Sequence, residues 1–541
     1  MKTVSIAGLA ILFILIVSMS TSPLYAQPFV QWQKSFGGTS RENASSLIQT
    51  HGDDYLIAGY SRSTDRDVTV HHGSSEYTDF WIVKMDSFGN IIWQRSFGGS
   101  SYDEANAVCE TNDGYVIAGL SRSNDGDVTG HHGNSDFADY WIIKIDTNGQ
   151  LLWQRSLGGS DNDVANAIAA TRDGGFIVAG SSNSSDGDVT GHHGTNDYAD
   201  YWVVKLDASG NTQWQRSLGG TSDDEANSVI QTEDGGYVIA GTSSSTDGDI
   251  TGNHGGDDCW IVKLDSSGNI IWQRSLGGTA NDGTSSIVQS RDGGFVVAAY
   301  AFSDDGDVTG HHLSNMSADY WILKLNARGE LQWQYSYGGS RNDYARSITP
   351  TNDGGFAIAG TSESNDGDVT MHQGAAECTD YWIVKIDSAG RMLWQETAGR
   401  MNNDDASAII QSRNGSYVVA GSSNPFPPRD RDESENYDYW VVKLDAVDNV
   451  QQIQQTAKAT EYLFPNPMTS SAELMIPSSI VGITSSATVI ISDIAGREVK
   501  RITDITSPSV VIVRDGMQNG NYIYRILRGN NVIATGKMVI Q

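Results

Sequence analysis

Three cysteines in 541 residues, Cys109, Cys259 and Cys378, are too few and too scattered for a disulfide framework, and no histidine or second cysteine flanks them in a metal or nucleophile pattern. Positive charge is also short. Lys and Arg number 35 against 66 Asp and Glu, a net charge of −31, which argues against nucleic-acid backbones and anionic membrane surfaces as partners and favours cations or neutral ligands such as glycans. Only one long apolar run occurs, from Ile6 to Val17, too short for a span. With Lys2 before it and Leu24-Tyr25-Ala26 after it, residues 1–26 read as a secretory signal peptide whose removal leaves no membrane span. No cysteine at the cleavage site means no lipid anchor there. GxSxG, HExxH, P-loop and CxxC motifs are all absent, so no nucleophile or catalytic metal is located.

Proline is scarce at 10 and glycine abundant at 59, with many Asn-Gly, Asp-Gly and Gly-Gly pairs that suit tight turns between strands. All fourteen tryptophans fall into two series of seven spaced 58 to 61 residues apart. One series, Trp32, Trp93, Trp153, Trp214, Trp272, Trp333 and Trp394, sits in WQRS-like segments; the other, Trp81, Trp141, Trp202, Trp260, Trp321, Trp382 and Trp440, in DYWIVKL-like segments. Each unit reads as four strands forming an antiparallel meander, which stacked radially gives an all-β, seven-bladed β-propeller; an open solenoid is the alternative. The segment around Trp32 supplies a fourth strand without the preceding three, and the seventh unit has Gln452 where its fourth-strand tryptophan should stand. Pairing the two termini closes the ring over residues 27–455. The recurring tryptophans read as packing between blades.

Function is expected on the face carrying the long loop between the second and third strands. Ten of the eleven histidines lie there, paired at His71-His72, His131-His132, His192-His193 and His311-His312 and single at His254 and His372. They read as loop supports rather than metal ligands. In the second unit Asp125, Asp127, Thr129, Gly130 and Asp136 occupy positions 1, 3, 5, 6 and 12 of an oxygen-ligand loop of calcium type. Equivalent sets are Asp65, Asp67, Thr69 and Glu76; Asp186, Asp188, Thr190 and Asp197; Asp247, Asp249, Thr251 and Asp258; and Asp366, Asp368, Thr370 and Glu377. The fifth unit has Asp305, Asp307 and Thr309 but ends on Met316, and Val70 and Met371 replace the glycine in two units. Calcium binding and Asx turns that cap each loop both fit. A further carboxylate recurs between blades at Glu42, Asp103, Asp163, Asp224, Asp282, Asp343 and Asp404, either to satisfy backbone amides or to add ligands; the seventh unit replaces the long loop with a different one, from Ser422 to Asp438.

After a linker at 456–460 the repeat gives way to about seven short strands over 461–541, a small β-sandwich. The blocks YLFPNPMTSSAELMI, SDIAGREV, GNYIYRI and ATGKMVIQ appear in that order. They resemble the type A sorting domain of the type IX secretion system of Bacteroidota-like bacteria, with Pro465, Asn466, Pro467, Gly496, Gly520, Tyr522, Gly536 and Lys537 in the matching positions. The resemblance implies the secretion machinery as partner and release or surface display as destination. The repeats are also similar to the tandem propeller repeats often joined to such domains. Near-identical loops favour a non-enzymatic scaffold for binding or adhesion, with a glycan or protein as ligand. A carbohydrate-active hydrolase or lyase and a structural surface-layer or matrix component remain as alternatives.

Overall fold

The computed structural model describes residues 28–312, 317–373, 378–424 and 436–445 of the repeat region, and 463–464, 466–475, 487–493, 497–507, 509–528 and 531–541 of the C-terminal region. The signal-peptide segment, Met316, Glu377, residues 425–435 of the seventh loop, the linker, Pro465 and Gly496 lie outside the described residues. Among the described residues all helix and strand structure is strand, and no helix is long and apolar enough to cross a membrane.

Each repeat folds into one four-stranded antiparallel sheet in chain order; the second blade uses Asp103–Thr111, Gly114–Ser121, Asp139–Asp146 and Leu151–Leu157. The seventh has Asp404–Gln411, Tyr417–Ser423 and Asp438–Leu444, and takes Val30–Phe36 from the other end of the chain as its fourth strand, with Val30 opposite Leu444 and Phe36 opposite Tyr439. First strands pack against one another around the ring, and the first strand of blade 1, Glu42–Gln49, meets that of blade 7. The ring is therefore closed, which removes the exposed sheet edges an open solenoid would carry at its ends.

Alternation along each third strand decides which neighbour a side chain meets. Trp141, Ile143 and Ile145 join Leu56, Ala58, Phe80 and Ile82 of the preceding blade, whereas Tyr140 and Ile142 join Phe176, Val178 and Trp202 of the following one. The Tyr140 ring lies 4.5 Å from that of Trp202, and its hydroxyl donates to the Trp202 carbonyl at 2.8 Å. The same link seals the closure, where Tyr439 lies 4.5 Å from Trp81 and donates to its carbonyl at 2.8 Å. All seven third-strand tryptophans are buried, each removing an aromatic surface from water on the order of 2–3 kcal/mol. The fourth-strand series does a different job. Trp93 is half-buried, donates its indole N–H to the Thr147 carbonyl of the next blade's hairpin, and lies beneath Arg95. A Cβ on Gly149, at φ +78°, would approach the Trp93 ring to 3.2 Å.

In the C-terminal region a three-stranded and a four-stranded sheet enclose a separate core that includes Met468, Leu474, Val489, Ile491, Ile512, Tyr524 and Ile540. Asn466 ties the chain's last strand down, donating to the Lys537 carbonyl and accepting from the Val539 amide, both at 2.8 Å. Tyr522 donates to the Gln518 carbonyl, and Gly536 lies against the Tyr524 ring, where a Cβ would meet the phenol oxygen.

Candidate functional site

The long loops are built from oxygen atoms that are already engaged. Asp125 Oδ1 accepts the Ser100 amide at 2.7 Å and Asp127 Oδ2 the Gly98 amide at 3.3 Å. Both amides belong to the stretch leading out of the preceding blade. The pattern repeats for Asp65 with Thr39 and Asp67 with Gly37, Asp186 with Ser160 and Asp188 with Gly158, and Asp247 with Thr221 and Asp249 with Gly219. It continues for Asp305 with Thr279 and Asp307 with Gly277, and Asp366 with Ser340 and Asp368 with Gly338. These carboxylates thus cap the inter-blade turn beside them rather than their own loop. Thr129 Oγ1 accepts from Gln154, whose carbonyl oxygen accepts the Trp141 indole N–H at 3.0 Å. Thr69, Thr190, Thr251, Thr309 and Thr370 take the same amide donor from Gln94, Gln215, Gln273, Gln334 and Gln395.

The twelfth position does not join them. Asp136 is exposed, its amide donating to Asn134 Oδ1 at 2.8 Å, and Glu76 and Asp197 are likewise exposed. Asp258 is a case of shifted register: the fourth loop is short, and Asp258 begins a third strand, as Asp139 does, instead of matching Asp136. Among the described residues no three His, Cys, Asp or Glu side chains gather to hold a metal ion.

Beneath the loops each blade junction buries a pair of carboxylates. At the first junction Asp103 accepts the Gly99 amide at 2.8 Å and the hydroxyls of Ser121 and Ser123, while Asp79 Oδ2 lies 2.9 Å from His72 Nδ1 and accepts the His72 amide at 2.6 Å. The other oxygen of Asp79 is buried without a hydrogen-bond partner, as are those of Asp139, Asp200, Asp258, Asp319 and Asp380. Both carboxylates close over Gly98, where an added Cβ would stand 2.6 Å from Asp103 Oδ2 and 2.7 Å from Asp79 Oδ1. Burial, with the Asp79 charge adding to it, pushes the Asp103 carboxyl up to about 7, and burial places Glu42, Asp163, Asp343 and Asp404 there too. The second histidine of each pair bridges onward, His72 Nε2 lying 3.7 Å from Asp127 and His132 Nε2 3.7 Å from Asp188. The histidines are loop supports linking successive blades.

Every feature so far recurs around the ring, and one region does not. A cavity of about 220 Å³ on the axis is lined by one bulged residue from each first strand: Ser45, Asn106, Asn166, Asn227, Ser285, Arg346 and Ser407. The bulge frees these side chains from the ladder, and Asn106, Asn166 and Asn227 each donate to an inner-strand carbonyl of the next blade. On the long-loop side of this cavity the equivalent positions differ from blade to blade. The position of Tyr60 is Leu120, Ser181, Thr242, Tyr300, Thr361 and Ser422 in turn; that of Arg62 is Arg122, Asn183, Ser244, Phe302, Glu363 and Asn424.

Large side chains collect on one side of this rim. Arg62 and Arg122 both lie against the Tyr102 ring, at 5.9 and 5.7 Å, and Tyr77 meets it edge-on at 4.9 Å. Arg41 lies over Tyr437 at 5.4 Å. Across blades 5 and 6, Tyr300, Phe302 and Tyr344 form a triangle with centroids 5.4 to 6.3 Å apart, and Arg346 lies over Tyr344 at 5.4 Å. Burial raises the Glu104 carboxyl, while Arg62, Arg122 and Arg41 pull it back down; Arg346 and Arg41 do the same for Asp405. The opposite side is acidic. Glu225 is raised by burial and by the charges of Asp223 and Asp257, with no cation opposing them. Reading the repeats for what they share hid this rim; aligning them for where they differ exposes it in the sequence.

Residues 462–541 match the secretion system C-terminal sorting domain family. The chain carries a type IX sorting domain, and it is exported to the outside of the cell or its surface. Over 226 residues, 40% of the chain, it is 34% identical to "Regulatory protein FlaEY" of Caulobacter vibrioides, and it spans 24% of that protein's length. Solved structures resemble it distantly. The WD40 domain of Neurospora crassa Pan2 has a TM-score of 0.40 at 10% identity, over 75% of this chain and 89% of that one. The BBS1N chain of a complex with ARL6DN has a TM-score of 0.42 at 9% identity, over 78% and 97%. Likeness at that distance bears on no activity.

Proposed function

We propose that the protein is an exported binding scaffold whose ligand sits at the rim of the axial channel, on the long-loop face, while the sorting domain directs its passage through the type IX machinery. One observation carries this reading: three sets of equivalent positions around the channel, those of Ser45, Tyr60 and Arg62, hold different residues in different blades, whereas the surrounding loops repeat with their hydrogen bonds. A packing role would require the same residue in each blade, and a site for one ligand requires different ones. Aromatic rings, arginines and carboxylates gathered at one end of a polar channel are the equipment of recognition. Calcium plays no part in this reading, because the carboxylates in the long loops are committed to backbone amides.

The test compares two sides of the rim. Immobilised full-length protein is screened against glycans and extracellular proteins, and each hit is measured again with Tyr102→Ala and with Asn162→Ala, its counterpart in the next blade. Loss of at least about tenfold in affinity with the first variant alone is expected, as befits removal of an aromatic anchor. Equal affinity in both variants would refute the site.

A further inference from the structure

Resting on that reading, we infer that the arginine side of the rim binds an anionic polysaccharide, one that presents carboxylate or sulfate groups on its sugar rings. Arg41, Arg62 and Arg122 converge on blades 1 and 2 in a chain whose net charge is −31. Among the described residues none of the three has a carboxylate within ion-pair distance, although Glu104 lies in their shared field. Each guanidinium carbon lies 5.4 to 5.9 Å from a tyrosine ring centroid, and Arg122 Nε has no hydrogen-bond partner among the described residues. Arg41, Arg62, Arg122 and Arg346 against Glu104 and Asp405 leave a local surplus of positive charge among the described residues.

That surplus selects an anion, and the rings select a sugar. A guanidinium offers paired donors that match a carboxylate or sulfate. Tyr60 and Tyr77 beside them supply rings for the apolar side of a pyranose, while Tyr102 holds Arg62 and Arg122. The net negative charge of the chain does not oppose this at contact range, since at physiological ionic strength charges beyond about 8 Å are screened. Whole-chain charge, which disfavours polyanions, is an average that this patch departs from. The acidic side of the rim, at Asp223, Glu225 and Asp257, orients the chain by repelling its anions, so a polysaccharide enters over blades 1 and 2.

Affinity electrophoresis of the full-length protein tests the inference, in gels containing polygalacturonate, a sulfated galactan, a neutral glucan or a single-stranded oligonucleotide. Retardation by polygalacturonate or the sulfated galactan is expected, and which of them retards tells carboxylate from sulfate. The double variant Arg62→Gln/Arg122→Gln should weaken it at least about tenfold, as loss of charge-assisted hydrogen bonds does. Arg62→Lys/Arg122→Lys, which keeps the charge and the fold, should retain part of it, and an unchanged thermal midpoint confirms that each variant is folded. Retardation by the glucan that survives the glutamine variant but is lost with Tyr102→Ala would overturn the anionic class and leave the rim site standing. Binding that no rim variant alters would overturn both. Equal retardation by the oligonucleotide, or none by any polysaccharide, would also overturn the inference.

Discussion

Ser100, Ser160 and Ser340 donate their amides to the equivalent Oδ1 of Asp125, Asp186 and Asp366 in three different blades, whereas the rim position of Tyr60 is filled by tyrosine, leucine, serine or threonine according to the blade. The two regions share a face of the disc and lie a few residues apart on the same strands. Sevenfold repetition serves closure, because every junction must solve one packing problem and one solution serves all. Variation at equivalent positions breaks the ring symmetry, and a single ligand on the axis needs that. On the reading proposed above, the chemically loud residues, recurring aspartates and histidines, are the scaffold, and the irregular ones are the site.

If that division is right, damage to the repeated network costs stability and leaves recognition alone. Asp103→Ala removes the acceptor for the Gly99 amide and for Ser121 and Ser123 hydroxyls, all buried. The loss should be about 3 kcal/mol or more, read by urea unfolding, since each stranded buried donor costs about 1–3 kcal/mol. Folded protein at low temperature should still bind whatever the rim binds. Loss of binding at full stability would erase the distinction between the two regions.

Protons give a gentler way to press on the scaffold. Burial lets Asp103, Asp163, Asp343, Asp404 and Glu42 hold protons in the folded state up to about 7, against ordinary values of 3.8 for the aspartates and 4.5 for Glu42. Between those limits the folded chain binds more protons than the unfolded one, so stability is fully present below the ordinary values and falls as pH rises toward 7 and above. His72, raised by its hydrogen bond to Asp79, acts in the same direction. Denaturation midpoints should therefore be higher at pH 5 than at pH 8. Asp103→Asn, which keeps an acceptor for Gly99 and carries no charge, should reduce that difference. A midpoint that rises with pH would mean that Asp103 and its counterparts are ionised in the folded chain at these pH values.

How much of this was legible follows from what repetition reveals. Trp141 and Ile143 against Ile142 and Lys144 gave the blade faces by simple alternation, and the orphan strand around Trp32 announced the closure. The carboxylate loops were ambiguous in the sequence, because Asp-x-Asp-x-Thr spacing describes ligands and turn caps equally, and only the fold brings the neighbouring strand's Gly98 and Ser100 amides to those oxygens. Asp258 misled further, since a shortened loop put a strand residue at ligand spacing. The rim was visible in the letters but needs the fold: Tyr102, Arg62 and Arg122 are far apart in sequence and meet only when blade 2 packs on blade 1.

The smallest expected effect concerns a place where the repeat itself has drifted. Gly130, Gly191, Gly252 and Gly310 adopt φ of +84°, +86°, +91° and +82° after the loop threonine, and blade 6 puts Met371 there at +66°. The methionine side chain is 74% exposed, so it contributes little packing to offset its backbone. A left-handed conformation costs a non-glycine residue about 1–2 kcal/mol, while glycine gives back about 0.5–1 kcal/mol through its freer unfolded chain. Met371→Gly should thus stabilise by about 0.5 kcal/mol. The reciprocal Gly130→Met should cost a similar amount, because a Cβ there meets nothing within 4 Å and only the backbone term remains. Matching opposite shifts in unfolding midpoint would show that this position belongs wholly to the scaffold. A change in ligand affinity with either variant would carry the functional region out from the rim and onto the loops.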